Sequence, residues 1–428
     1  MNYYSQMMSR LKTPEAMKRF FTLYGRREGE LARQLTRYTE LVKRHEDIFH
    51  SDKPLCMVSA SGRTEIVGNH TDHQNGRVMA AAVNLDTVAA VTPRGDMLAE
   101  VHSAGFPVVQ LDLSDLSVRE EEMGTSAALI RGVAAGMVER GYQVGGFDAA
   151  ITSDVLAGSG LSSSAAFEVL ICTILDKLYN GMTVDAVTRA KISQYAENRY
   201  FGKPSGLMDQ MASSVGGLVY IDFKNLPADV EISPLNFDFA AAGYSLVVVN
   251  TRGSHDDLTD AYASIRTEMT AVAECMGEKV LRGANSEEFR VNIRAVAEKC
   301  GERACLRALH FFQENDRVKQ MKTAVQSGDL QKMLSLITAS GRSSWEKLQN
   351  VYMPGTHQPM ALALASSEDL LDGKGAWRVH GGGFAGTTLN FVPDNTLNLF
   401  ISRMEALFGS GCCFVLNVRP EGAGVVFD

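Results

Sequence analysis

Apolar residues near the start of the chain recur at helical rather than alternating spacing. Met17, Phe20, Phe21, Leu31, Leu35, Tyr38 and Leu41 sit among charged neighbours and predict helix across residues 14–49. The pattern changes after Pro54. Leu55–Ala60, Val78–Val83, Thr87–Thr92, Met97–His102 and Val108–Leu113 are short runs with β-branched residues and turn punctuation such as Pro93–Asp96. They predict an antiparallel sheet. Helical spacing returns at Thr125–Arg140, at Ser164–Leu178, and from about Thr183, a suitable N-cap, to Tyr200. Gly216–Phe223 and Tyr244–Asn250 read as strands on either side of a connector with two prolines. A long helical region, Asp256–Ser366, is interrupted near Gly283 and Pro354. Ala376–His380 and Thr387–Val392 read as strands around a glycine cluster, and Cys412–Val418 and Gly424–Phe427 close the pattern.

Strands and helices thus mix without an internal repeat or a low-complexity tract, an α+β arrangement. A length of 428 residues exceeds one typical core, so two domains are expected, 1–235 and 236–428. The formal net charge of −8, with no basic block, argues against nucleic acid or an anionic membrane as partner. The first residues lack the apolar core of a signal peptide, and the longest apolar stretch, Val78–Val91, is broken by Asn84 and Asp86. A cytoplasmic monomer is therefore expected. Cysteines at 56, 172, 275, 300, 305, 412 and 413 form no CxxC pair and are odd in number, which fits reduced thiols better than zinc or a disulfide framework.

Three polar or glycine-rich segments carry the chemistry. Gly158, Ser159, Gly160, Leu161, Ser162, Ser163, Ser164 and Ala165 lead into a helical run. Glycine permits close backbone approach, a helix N-terminus offers unpaired N–H groups, and serine hydroxyls add donors and a magnesium ligand, a combination suited to phosphate. Gly62–Gly76 clusters Asn69, His70, Thr71, Asp72 and His73, donors and acceptors that suit a sugar. His380–Gly386 contains G-x-G-x-x-G, but a β-rich run follows where a dinucleotide fold needs a helix. No Walker A sequence exists either, since neither Gly-Lys pair is followed by Ser or Thr.

In this order and spacing, and joined by Ala196–Gln210, the segments resemble the GHMP small-molecule kinases, and among them the galactokinases. The resemblance runs from about residue 54 to the C-terminus. It implies a two-domain GHMP kinase fold with the active site in the interdomain cleft, ATP as phosphoryl donor and Mg2+ as cofactor. By that resemblance Asp209 accepts the proton of the sugar's anomeric hydroxyl, and Arg63 stabilises charge beside it. Ser164 and Glu197 fall at the magnesium position, and His70, Asp72, Gly206 and Tyr262 at sugar-contacting positions. Read without the resemblance, Asp209 is a helix cap, Glu197 a solvated helix residue and Tyr262 a half-buried aromatic. His380 keeps its plain reading as a satisfied polar residue.

The chain departs from the family at several places. Asn69 stands where galactokinases carry a glutamate that meets the sugar's 6-hydroxyl, and Glu65 stands where they commonly carry asparagine. His73, Leu156 and His380 replace tyrosine, proline and threonine. An amide at 69 tolerates a hydroxyl or an acid, so the expected substrate is D-galactose, with galacturonate or another C6-altered sugar as alternative. A non-catalytic sugar sensor is the third reading, although the serine loop, Asp209 and Arg63 are all intact. On these grounds Asn69→Glu is expected to favour galactose and suppress galacturonate.

Overall fold

Buried residues carry the first two strands well past the runs that the turn punctuation predicts. The computed structural model of the chain describes residues 2–155, 160–226, 228–253, 259–351, 355–384 and 386–428. β1 (Cys56–Val67) is buried along its whole length and runs straight into the Gly62 motif. β2 (Arg77–Pro93) merges two of the predicted runs. They pair antiparallel with Ser59 opposite Val88, and the register shifts between Ser61 and Arg63. That bulge re-aims the strand just where Arg63 leaves it.

β3 (Leu98–Ser103), β4 (Val109–Asp112), β5 (Phe147–Ser153), β6 (Leu218–Asp222) and β7 (Glu231–Leu235) extend the first sheet. β5 escaped the sequence pattern because alanines and a serine dilute its apolar signal. It also corrects the purely antiparallel expectation, since β3 and β5 run parallel. β7 lies in the proline-bearing connector and, among the described residues, pairs only with β6, an edge position that tolerates Pro234. A second sheet follows the order β11-β8-β10-β9, from β8 (Tyr244–Asn250), β9 (Ala376–His380), β10 (Thr387–Pro393) and β11 (Cys413–Leu416). The last strand, β12 (Gly424–Phe427), returns to pair with β1.

The N-terminal helical region divides into α1 (Tyr3–Arg10), α2 (Pro14–Tyr24) and α3 (Glu30–Phe49), with Gly25 at φ 83° ending α2. These helices clamp the first sheet through buried Asp86. Its carboxylate accepts from Tyr24 (2.7 Å), Arg37 (2.7 Å), Arg419 (2.9 Å) and Ser59. Two arginines from opposite ends of the chain thus neutralise one carboxylate that burial alone would make costly.

α4 (Ser126–Val138), α5 (Ser163–Tyr179) and α6 (Ala186–Ala196) cover the sheet's other part, and a π turn, Glu197–Phe201, ends α6. α6 is capped by Asp185 rather than Thr183; its carboxylate accepts from Val187 N (2.9 Å) and Thr188 N (3.0 Å). Asp185→Ala is expected to destabilise by about 1 kcal/mol, read as a lower midpoint of thermal unfolding with turnover preserved. An unchanged midpoint would count against the cap. α7 (Met208–Val215) follows. The second half adds α8 (Thr259–Cys275), α9 (Ser286–Val291), α10 (Ile293–Cys300), α11 (Glu302–Ser327), α12 (Leu330–Ser343), α13 (Pro359–Leu371) and α14 (Leu397–Phe408). Ile66, Met79 and Val83 of the first sheet share one apolar cluster with Leu246, Val248 and Leu389 of the second and with Val318, Met321 and Ile337 of α11 and α12. That common core fixes the two halves against each other, and the polar segments meet beside it.

Candidate active site

The serine loop lies against β1 because Arg63 N donates to the Leu161 carbonyl (3.2 Å). Gly158 and Ser159 fall outside the described residues. Gly160 takes φ 71°, and a Cβ there would crowd Thr387 Oγ1 and His380 Nδ1, so the loop touches the second sheet only because residue 160 has no side chain. Ser162 holds a left-handed φ of 62° at the head of α5. The first intrahelical bond of α5 runs from Ala166 N to Ser162 O, so the N–H groups of Ser163, Ser164 and Ala165 have no helical partner. Such an end of a 17-residue helix suits an anion.

Asp209 stands in the first turn of α7, where the helix dipole favours a carboxylate. Arg63 Nε donates to Asp209 Oδ1 (2.8 Å), Ser162 Oγ donates to Oδ2, and the other end of the Arg63 guanidinium donates to the Gly160 carbonyl. Base candidate, cation and phosphate loop are therefore one hydrogen-bonded unit, although Arg63 and Asp209 lie 146 positions apart. Burial pushes the Asp209 carboxyl up. The Arg63 charge and the Ser162 and Arg63 hydrogen bonds outweigh it, and the group rests below its ordinary 3.8. A lowered carboxyl stays ionised above that value and loses its function only as pH falls through it. Turnover against pH should therefore show no acid limb from this group above about pH 5. A limb centred nearer neutrality would assign proton acceptance to another residue.

Glu197, in the π turn after α6, meets the same loop from the other side. Its Oε1 accepts from Ser164 Oγ (2.9 Å) and Lys203 Nζ (2.7 Å), and its Oε2 accepts from Gln210 Nε2 (2.8 Å). Gln210 Nε2 also donates to buried Glu168 (3.1 Å). A hydroxyl and a carboxylate facing each other at a phosphate loop, with a cation already drawn to the carboxylate, form a fitting oxygen pair for a divalent ion that completes its shell with phosphate and water.

The sugar signature turns at His70, whose φ is 57°. Burial, reinforced by the neighbouring His73 ring, pushes its imidazole down to about 3, so the ring is neutral. Its Nε2 lies 3.0 Å from the Gly382 carbonyl, which can only accept. The hydrogen is thus on Nε2, and Nδ1 is left as an acceptor. Tyr262, on α8, packs over Gly382 with its ring 5.8 Å from His70 and 5.5 Å from Phe384. Gly206 lies so close to Asp72 that a Cβ would collide with its carboxylate. Asp72 and Gly206 line a cleft of about 590 Å³ together with His73, Asn198, Ser205 and Arg266.

Asn69 is held differently. Its Nδ2 donates to both Glu65 oxygens (3.2 Å each) and to the Gly381 carbonyl (2.7 Å), while its Oδ1 accepts from Asn350 Nδ2 (2.8 Å) and Ser344 Oγ (3.2 Å). The amide is buried and fully engaged by protein groups, so a sugar hydroxyl would have to displace one of them. Glu65 in turn pairs with buried Arg378 at 2.6 Å. His380 departs from its plain reading: Nδ1 bonds Thr387 Oγ1 (3.0 Å), but buried Nε2 has no partner among the described residues.

Lys203, Gln210, Glu168 and the Glu65–Arg378 pair escaped sequence reasoning. Lys203 and Gln210 lie within the Ala196–Gln210 segment, and that proximity to Asp209 was the available signal. Nothing local in the sequence joins residues 65 and 378.

The GHMP kinases N terminal domain matches residues 126–217, and the galactokinase galactose-binding signature matches residues 43–93. Galactokinase of Glaesserella parasuis is 32% identical over 384 residues, 86% of this chain and 94% of that protein. Galactokinase of Streptomyces coelicolor is 30% identical over 365 residues, 84% of this chain and 90% of that protein. In fold, the chain is similar to Lactococcus lactis galactokinase solved with galactose, with a TM-score of 0.78 at 23% identity, covering 90% of this chain and 98% of that one. Methanococcus jannaschii mevalonate kinase follows at a TM-score of 0.59 and 13% identity, covering 85% and 98%. With two curated relatives at this identity spanned almost end to end, the chain belongs to the galactokinase family of GHMP kinases.

Proposed function

We propose that this chain transfers the γ-phosphoryl group of ATP to the anomeric hydroxyl of D-galactose, giving galactose 1-phosphate and ADP. The observation that carries the reading is the Arg63–Asp209–Ser162 unit, which ties an ionised carboxylate to the phosphate loop. The sugar lies against His70, Asp72, Gly206 and Tyr262, with the halves 1–235 and 236–428 meeting around it. Neutral His70 accepts a sugar hydroxyl at Nδ1, and Asp72 accepts another. Asp209 takes the anomeric proton as the oxygen attacks, and Arg63 holds that carboxylate in place and balances the negative charge gathering there. The unpaired N–H groups at the start of α5 receive the phosphates. Ser164 and Glu197 would hold Mg2+, which supplies charge neutralisation on the phosphates.

Turnover with ATP of galactose, galacturonate, N-acetylgalactosamine and glucose tests the reading. Galactose is expected to be phosphorylated with the highest kcat/KM. Folded protein that leaves galactose untouched while phosphorylating another sugar would refute it. Excess chelator is expected to abolish turnover and added magnesium to restore it; full turnover after demonstrated metal removal would contradict the assignment of Ser164 and Glu197. Among the described residues no helix is long and apolar enough to cross a membrane.

A further inference from the structure

Glu197 is a buried carboxylate, its side chain 2% exposed. Among the described residues, the cation paired with it is Lys203, at 2.7 Å. Its other partners, the Ser164 hydroxyl and the Gln210 amide, are neutral. An ionised carboxylate taken out of water needs a counter-charge. Asp209 adds its own negative charge near the ammonium, while burial and the neighbouring Glu197 push the Glu168 carboxyl well up.

Lys203 differs from an ordinary buried partner because its side chain is 57% exposed. It sits between Gly202, at φ 85°, and Pro204, and its backbone N–H closes the π turn onto the Glu197 carbonyl (3.1 Å). The backbone is thus anchored while more than half of the side chain is exposed. Withdrawal costs such a side chain little, since an exposed ammonium is readily hydrated. A divalent cation on the same carboxylate oxygen would also repel it.

We propose that Lys203 is a displaceable counter-cation. In the nucleotide-free protein it occupies the divalent-cation position on Glu197, and it gives up that oxygen when the metal arrives with the nucleotide phosphates. The arrangement closes the site to free metal and couples metal entry to ATP. The released ammonium stays beside the first turn of α5, since Ser164 of that turn shares Glu197 Oε1 with it. The inference rests on the kinase reading above, in which Glu197 is a metal ligand.

Mn2+ is the probe, its binding to nucleotide-free protein followed by loss of the free-ion paramagnetic resonance signal. Wild-type protein is expected to bind weakly. Lys203→Met and Lys203→Gln are each expected to bind at least about tenfold more tightly, because the competing charge is gone. Combining Lys203→Met with Glu197→Gln should return binding to the wild-type level. Equal or weaker binding in both Lys203 variants would overturn the proposal. So would a gain that survives loss of the Glu197 carboxylate, since the metal would then sit elsewhere. No sugar or nucleotide is present, so failure of galactose turnover leaves this comparison intact.

Discussion

Asp209→Asn is expected to lower galactose phosphorylation by about 10²–10⁴-fold while ATP binding stays near the wild-type value. The geometry explains why the variant isolates proton transfer. The asparagine oxygen can still accept from Arg63 Nε, and its amide nitrogen can donate to the Ser162 hydroxyl, which both gives and takes hydrogen bonds. The unit of Arg63, loop and helix α7 therefore keeps its shape. What disappears is a group that can accept the anomeric proton, together with the charge that Arg63 now balances. Single-turnover rates with saturating sugar and a titration with a non-transferable ATP analogue separate the two effects. A rate close to wild type would show that the sugar loses its proton elsewhere and would leave Asp209 as an anchor for Arg63.

The chemistry of this site was legible in the sequence wherever it lies in contiguous motifs. Gly160–Ala165 reads as a phosphate loop from its residue types alone, whereas Arg63, Asp209 and Glu197 were singled out through the family resemblance of their segments, and the fold brings all of them together around that loop. Periodicity alone did less well. β5 is missed because Asp148, Ala149 and Ala150 weaken its strand pattern, and α14 is missed although Phe400, Met404 and Phe408 recur at helical spacing and are buried. The Asp185 cap lies two residues from Thr183, and only geometry chooses between them. Contacts that join distant segments left no local signal. Glu65 meets Arg378 across 313 positions and Asn69 meets Asn350 across 281, and these decide what a change at residue 69 does.

Asn69→Glu illustrates that point, because the structure reverses the benefit expected from sequence alone. The amide nitrogen of Asn69 is 3.2 Å from both oxygens of Glu65 and 2.7 Å from the Gly381 carbonyl. A glutamate here places a second carboxylate against the first, and an acceptor against a carbonyl, in a position only 1% exposed. Arg378, itself buried, is the cation bonded to Glu65, and it would have to serve both acids. Burial already pushes the Glu65 carboxyl up against the opposing pull of Arg378 and Arg63. An unbalanced charge at such a site costs about 3–5 kcal/mol. The single variant is therefore expected to unfold at markedly lower temperature and to lose at least about tenfold in kcat/KM for galactose, since the signature turn bearing His70 is tied through this amide. Glu65→Asn in the same chain restores one carboxylate, one amide and one arginine. The double variant should recover most of the stability, with a coupling of about 2–3 kcal/mol between the two sites. A double-mutant cycle in thermal unfolding and in galactose turnover measures both quantities. If Asn69→Glu alone leaves stability intact and raises galactose turnover, or if the two changes prove additive, then residues 65 and 69 do not act as one charge-limited pair, and Asn69 faces the sugar rather than the glycine cluster.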